Sequence, residues 1–287
     1  MSELPTSGDS DRYCAELVKN RDFVRYVSTL FEPPPERRAL LALYAFNSEI
    51  TRVRMQVRQP LPGEVRLQWW TDVLKGVGHG DAESNPVARE LLQAIRTWKL
   101  PIEPLTHLID EHQFDLYNDP MPTKAALEGY VTATSSALFS LAAGITGHES
   151  EEVEHLSSHA GLALGFTQVM VSIPFDASRQ QLFMPLQLLE SHGVTTGEVF
   201  AGQQTPGIKA ALDDLIEEAL RHLQTSFSLL AGVPPETRAV FLPLVQAKND
   251  LRRLARADCD PFAPHGTSRL RVLWSLWRAR RSRPFRA

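Results

Sequence analysis

The chain is predicted to be all-α, and three observations predict it. Apolar residues recur at helical spacing along nearly all of the 287 residues. No alternating pair of segments joined by a tight turn signals a hairpin. Breaks rich in proline and glycine separate the periodic stretches. With 43% hydrophobic residues, the chain can bury a sizeable core.

Taken in order, Ser10 or Asp11 can cap a first helix reaching about Leu30, with Tyr13, Leu17 and Tyr26 among its apolar positions. After Pro33-Pro34-Pro35, Pro35 suits the first turn of a long helix through about Val57. Pro60, Pro62 and Gly63 punctuate before Leu67-Gln68-Trp69-Trp70 opens the next helix, and Gly76, Gly78 and Gly80 form a mobile turn. Helices are expected over 85–98, 102–117, 122–146 and 150–173. Prolines and glycines make 174–206 the least regular stretch. Helices over 207–231 and 235–256 follow, parted by Val233-Pro234-Pro235. No internal repeat and no interdomain linker is visible. The expected organisation is a disordered 1–10, one helical domain over 11–262 and a basic tail over 263–287.

Composition excludes several classes. A net charge of −4 does not suit nucleic-acid binding, which needs a basic surface. Cys14 and Cys259 lack metal-ligand spacing and read as two neutral thiols. Met1–Ser10 has neither the basic n-region nor the apolar run of a leader, and no run approaches the ~20 apolar residues that span a bilayer. The expectation is a cytoplasmic protein, or a mature chain without its targeting segment.

Two segments resemble the motif helices of squalene and phytoene synthases. The first, Tyr44-Ala45-Phe46-Asn47-Ser48-Glu49, is similar to a Tyr-Ala-Phe-Cys-Arg run that precedes an Asp-Asp-x-x-Asp cluster in that family. The aspartate positions here hold Thr51, Arg52 and Met55. The second is similar to Gln-Leu-Thr-Asn-Ile-Leu-Arg-Asp-Val-x-Glu-Asp followed by Arg-Gly-Arg-x-Tyr-Leu-Pro. Thr167, Asp176, Arg179 and Pro185 match, while Gln168, Val171, Ser172 and Phe175 replace the asparagine, arginine, first aspartate and glutamate. The resemblance runs from about Tyr13 to Phe262 and implies an isoprenoid-synthase bundle around a central cavity. Tyr44, Phe46, Glu49, Thr167, Gln168, Asp176 and Arg179 are the candidate cavity or ligand-binding residues. Gly161, Ala163 and Gly165 either line that cavity or serve close helix packing.

Carboxylates one turn apart on two facing helices can grip magnesium around a diphosphate, and the metal stabilises the charge that leaves. The motif as it stands offers one carboxylate of the second cluster and none of the first. Shorter strings such as Arg66-x-Gln68-x-Trp70, Pro86-Val87-Ala88-x-Glu90-Leu91 and His192-Gly193-Val194 resemble a branch of the same family, the phytoene-synthase-like assembly factors of mitochondrial respiratory complex I. That branch implies a non-catalytic protein without a cofactor, partnered by respiratory subunits or assembly proteins. Two other readings stay open: an active head-to-head prenyltransferase, which would need magnesium, and a carrier of an isoprenoid lipid or quinone.

Weaker features complete the inventory. Asp110, Glu111 and Asp115 read as a solvated helix face, and Trp69, Trp70 and Trp98 as packing aromatics. Glu49 on an apolar helix needs a partner, for which Arg52 and Arg179 are candidates. His155 and His159 stand one turn apart but lack a third fixed ligand. In the tail, Leu270, Leu273, Trp274 and Trp277 share a helical face flanked by Arg271 and Arg278. The segment is either an interfacial helix on anionic lipid or a helix docked on its own domain. The first reading requires the helix to stop before Arg281, and it puts the protein peripherally on the inner membrane, matrix side in a mitochondrion.

Overall fold

A computed structural model describes residues 7–77, 82–264 and 266–282. The helices are α1 (Ser7–Arg21), α2 (Phe23–Thr29), α3 (Pro34–Gln56), α4 (Pro60–Lys75), α5 (Pro86–Trp98), α6 (Ile102–Glu111), α7 (Lys124–Val131), α8 (Ala137–Ile145), α9 (Glu151–Ser178), α10 (Leu186–Ser191), α11 (Thr196–Phe200), α12 (Pro206–Leu229), α13 (Pro243–Leu254) and α14 (Arg269–Arg281). Among the described residues there is no strand, as expected.

The chain forms two compact units. Unit 1 comprises Met1–Tyr117, Ser140–Val153 and Val233–Leu242; unit 2 comprises Asn118–Phe139, Glu154–Gly232 and Pro243–Ala287. Each unit takes several separate stretches of chain, so no single linker marks a boundary.

In unit 1, α1, α3 and α5 pack on one another. α3 starts on prolines at its first turn, which have no amide donor to lose there. It turns Leu40, Leu43, Phe46, Ile50 and Val53 inward; full burial of one such side chain contributes roughly 1.5–3 kcal/mol. Trp70 of α4 is buried and meets Phe46 edge-on at 5.2 Å. Near the start of α3, Arg38 donates from Nε and Nη2 to the two oxygens of Glu90 on α5, at 2.6 and 2.8 Å. Glu90 is 2% exposed, so this fork supplies the partner that a buried carboxylate needs. Burial pushes the Cys14 thiol up to about 12, with Glu90 and Asp11 adding to the shift, so it stays neutral.

In unit 2, α9 runs against a π turn at Thr132–Ser136, which follows α7. A Cβ on Gly161 would strike the backbone of Ser136, and one on Gly165 would strike Val131. The small residues therefore serve close packing here. Ser136 Oγ also donates to the carbonyl of Ser158 at 3.0 Å, pinning the turn. α12 packs on α10 and α13, and α13 on α14.

Several elements depart from the sequence expectation. The first helix begins at Ser7 and is broken by Asp22, whose Oδ1 caps α2 through the Arg25 amide at 3.0 Å. The helix expected over 102–117 ends at Glu111, with a short 3-10 turn at Phe114–Leu116. α9 continues through Pro174 to Ser178 rather than stopping at 173. A 3-10 turn at Thr237–Phe241 replaces the start of the helix expected from 235. Residues 1–6, most of the disordered terminus expected over 1–10, lie outside the described residues, as do Gly78, Gly80, Arg283 and Arg286.

α9 also corrects the expectation that no segment nears membrane-spanning length. By length and composition it could cross a bilayer, but 67% of its apolar window is buried inside the protein. That is the composition of a core helix.

Candidate functional site

On α3 the positions that carry aspartates in the synthases are chemically closed. Thr51 donates its hydroxyl to the Asn47 carbonyl of its own helix at 3.0 Å. Arg52 Nη1 lies 3.3 Å from Glu49 Oε1, so Arg52 supplies the partner that Glu49 requires. Met55 is 49% exposed and offers no oxygen. One and two turns earlier, Phe46 is fully buried and Tyr44 nearly so; burial raises the Tyr44 phenol well above its ordinary value, and the Arg25 guanidinium lies 5.5 Å from its ring. Both are core residues within unit 1.

On α9 the pattern is different in kind. Thr167 donates to the Ala163 carbonyl at 2.6 Å and is buried, whereas Gln168 is exposed. Ser172 donates to the Gln168 carbonyl at 2.7 Å. Phe175 is 40% exposed with the Arg179 guanidinium 5.6 Å from its ring. Asp176 is buried, and its backbone carbonyl accepts from the amides of Arg179 and Gln181 where the helix ends.

The fold implies magnesium, and neither donor set fits it. Magnesium demands hard oxygen ligands in near-octahedral array. α3 offers a hydroxyl whose proton is committed to a carbonyl, a cation and a thioether. α9 offers a similar hydroxyl, a phenyl ring and one carboxylate. Among the described residues no three of His, Cys, Asp and Glu come together as a metal cluster.

The expected solvated face at Asp110, Glu111 and Asp115 is corrected in part. Asp110 is exposed, but Asp115 is buried with Oδ2 2.7 Å from Nδ1 of His112, also buried. A 3-10 turn rather than a continuing helix carries Asp115 inward. Trp70 packs as expected, while half-buried Trp69 borders an open groove of about 520 Å³ with Leu61, Val65 and Gln113.

α14 is docked on its own domain by one face and exposes the other. Val272 and Leu276 are buried, and the helix packs on α13. On the opposite face Leu270, Trp274 and Trp277 are 79%, 58% and 45% exposed, with Leu273 beside them. Arg271 and Arg278 are exposed, and Arg278 lies over the Trp274 ring. The helix does not stop before Arg281. Arg281 is its last residue and stacks over Trp277 at 3.9 Å, so contrary to that condition the apolar face carries a charge at its very end, where a long side chain can still reach a headgroup layer.

The fold and the two altered motif helices define the class of protein. The squalene/phytoene synthase profile matches residues 18–278, and the chain belongs to that family. It is 30% identical over 260 residues to the rat protein named NADH dehydrogenase (ubiquinone) complex I, assembly factor 6, across 91% of this chain and 78% of that one. It is 26% identical over 244 residues to presqualene diphosphate synthase of Rhodopseudomonas palustris, across 83% and 86%. Among solved structures, squalene synthase HpnC from Alicyclobacillus acidocaldarius superposes with a TM-score of 0.77 at 22% identity, covering 89% of this chain and 95% of that one. A dehydrosqualene synthase superposes at 0.82 with 16% identity, covering 95% of each. The last two likenesses establish the shared isoprenoid-synthase fold.

Proposed function

We propose that this chain is a non-catalytic squalene/phytoene synthase relative that acts in assembling a membrane respiratory complex of the complex I type and works without a cofactor. The observation that carries the reading is the closed chemistry at Thr51, Arg52, Met55, Ser172 and Phe175 on helices whose packing is intact. An enzyme that ionises an allylic diphosphate must stabilise the departing charge, and these side chains cannot gather metals to do so. The likeness to complex I assembly factor 6 along 91% of the chain supports the same conclusion.

Affinity purification from membrane extract, with bound proteins and lipids identified, tests it. Respiratory-complex subunits or their assembly proteins are the expected companions. An isoprenoid lipid recovered without them would replace this reading with a carrier. Condensation of farnesyl or geranylgeranyl diphosphate that depends on magnesium and on Asp176 would replace it with a synthase.

The outer face of α14 is the surface proposed to hold the protein peripherally on the inner membrane, cytoplasmic side in a bacterium and matrix side in a mitochondrion. After Asp260 the sequence has no acidic residue and seven arginines from Arg269 onward, which suits anionic lipid. Basic residues at such a surface contribute on the order of 1 kcal/mol each, and interfacial tryptophans anchor at headgroup depth. Trp274→Ser/Trp277→Ser leaves the inner face alone, so it should reduce co-sedimentation with phosphatidylserine vesicles while the fold survives. Undiminished binding would remove α14 as the anchor.

A further inference from the structure

Unit 2 holds a chain of imidazoles outside the motif positions. His155 and His159 lie one turn apart on α9 with their Nε2 atoms 3.1 Å apart. Nδ1 of His159 is 2.8 Å from Nδ1 of His222 on α12. Nε2 of His222 is 3.3 Å from Oε1 of Glu218, with the Arg221 guanidinium also at 3.3 Å. Glu218 is held in turn by Lys124 at 3.0 Å and by Arg221.

We propose that His155 and His159 bind a divalent transition-metal ion, copper(II) or nickel(II), at the surface of α9, with His222 and Glu218 as positioning residues behind them. Glu218 can only accept and the Arg221 guanidinium can only donate, and both stand 3.3 Å from His222 Nε2. In the tautomer that donates from His222 Nε2 to Glu218, Nδ1 of His222 is bare, His159 donates to it from Nδ1, and His159 Nε2 is left unprotonated, the form a metal requires. His155 is exposed and brings its own Nε2 to the same point.

Two nitrogens 3.1 Å apart, each about 2.0–2.1 Å from a metal, subtend an angle of about 95–102°, which either a tetragonal or a tetrahedral site accommodates. Affinity then decides, and copper(II) stands highest in the general order. Since no third His, Cys, Asp or Glu joins the pair among the described residues, water completes the coordination and the ion exchanges readily.

The test is titration of the full chain with copper(II) chloride by calorimetry, with electron paramagnetic resonance in parallel. One saturable site with two nitrogen ligands is expected, and His155→Ala, an exposed substitution, should lower its affinity at least tenfold. His222→Phe should lower affinity about 10–100-fold, while His222→Gln, whose carbonyl can accept from His159 Nδ1, should restore much of it. Thermal unfolding of each variant separates this from a loss of fold. Absence of saturable binding, or wild-type affinity in His155→Ala, would overturn the site. Equal affinity in the Phe and Gln variants at position 222 would overturn the positioning role.

Discussion

α3 and α9 carry the two halves of one family pattern and have lost it in different ways. On α3 the replacements interact locally: Arg52 pairs with Glu49 and Thr51 bonds its own helix. On α9 they are mostly inert, with Phe175 facing out, Ser172 closed on Gln168 and Asp176 left buried at the helix end. What both helices keep is packing: Phe46, Ile50 and Val53 on one, Gly161, Gly165 and Thr167 on the other. Positions that hold neighbours are kept, whereas of the positions that the resemblance assigns to metal only Asp176 keeps its carboxylate.

The largest effect that would break this comparison is on α9. Gly161→Ala forces a Cβ into the Ser136 backbone, which cannot yield as a flexible side chain would. Urea unfolding should show a loss of about 3 kcal/mol, at the upper end for overpacking. Ser172→Ala on the same helix should stay within about 0.5 kcal/mol, since it removes only a local hydroxyl bond. Similar losses in the two variants would mean that packing and motif positions are not separable.

A second contrast lies within α3. Arg38→Met strands Glu90, and because Arg38 is itself one-third exposed, water reaches the pair and moderates the cost to about 2 kcal/mol. Arg52→Met breaks the half-buried pair with Glu49, for which about 0.5 kcal/mol is expected. Paired thermal melts of the two variants check the ratio.

These contrasts also explain what could be read from the chain alone. The helical period and the prolines at 33–35 place α3 within a residue of its observed limits, because that helix is determined locally. The π turn at Thr132–Ser136 has no local signal because it rests on Gly161 and Ser158, more than twenty positions away. The Arg38–Glu90 fork is likewise a pairing across 52 positions. Pro174 predicts a stop, yet α9 runs past it to Ser178. His222 does carry a signal in the sequence: it interrupts the buried stripe Leu215, Ala219, Ser226 on α12 with an ionisable ring. Arg52, Met55 and Phe175 are legible from residue type alone, since none has an oxygen to bind a metal, whereas the closure of Thr51 and Ser172 shows only in their hydrogen bonds.

A smaller effect concerns pH. His159 and His222 have lowered proton affinities in the folded chain, chiefly through burial. The unfolded chain therefore binds more protons around and below the ordinary imidazole value of 6.5. The stability they contribute is complete above that value and is lost as pH falls through it. Melting temperature should decline from pH 7.5 to 5.5, and His159→Gln with His222→Gln should flatten the decline. An unchanged slope in the double variant would assign it to other groups.

The smallest expected effect is none at all, and it tests the comparison most directly. Thr51→Asp/Arg52→Asp/Met55→Asp restores three carboxylates to α3 and leaves α9 as it is. These positions are half-buried or exposed, so the variant should fold with at most a modest loss from added repulsion. It should still not condense farnesyl diphosphate in the presence of magnesium. One set of carboxylates can attract the ion, but charge separation at the diphosphate needs ligands from both halves. α9 would still present Ser172 and Phe175 where oxygens are required. The reciprocal Ser172→Asp/Phe175→Glu should fail for the matching reason. Product formed by either single-helix variant, dependent on magnesium and absent from the parent chain, would show that one motif suffices and that the loss on the other helix was not disabling.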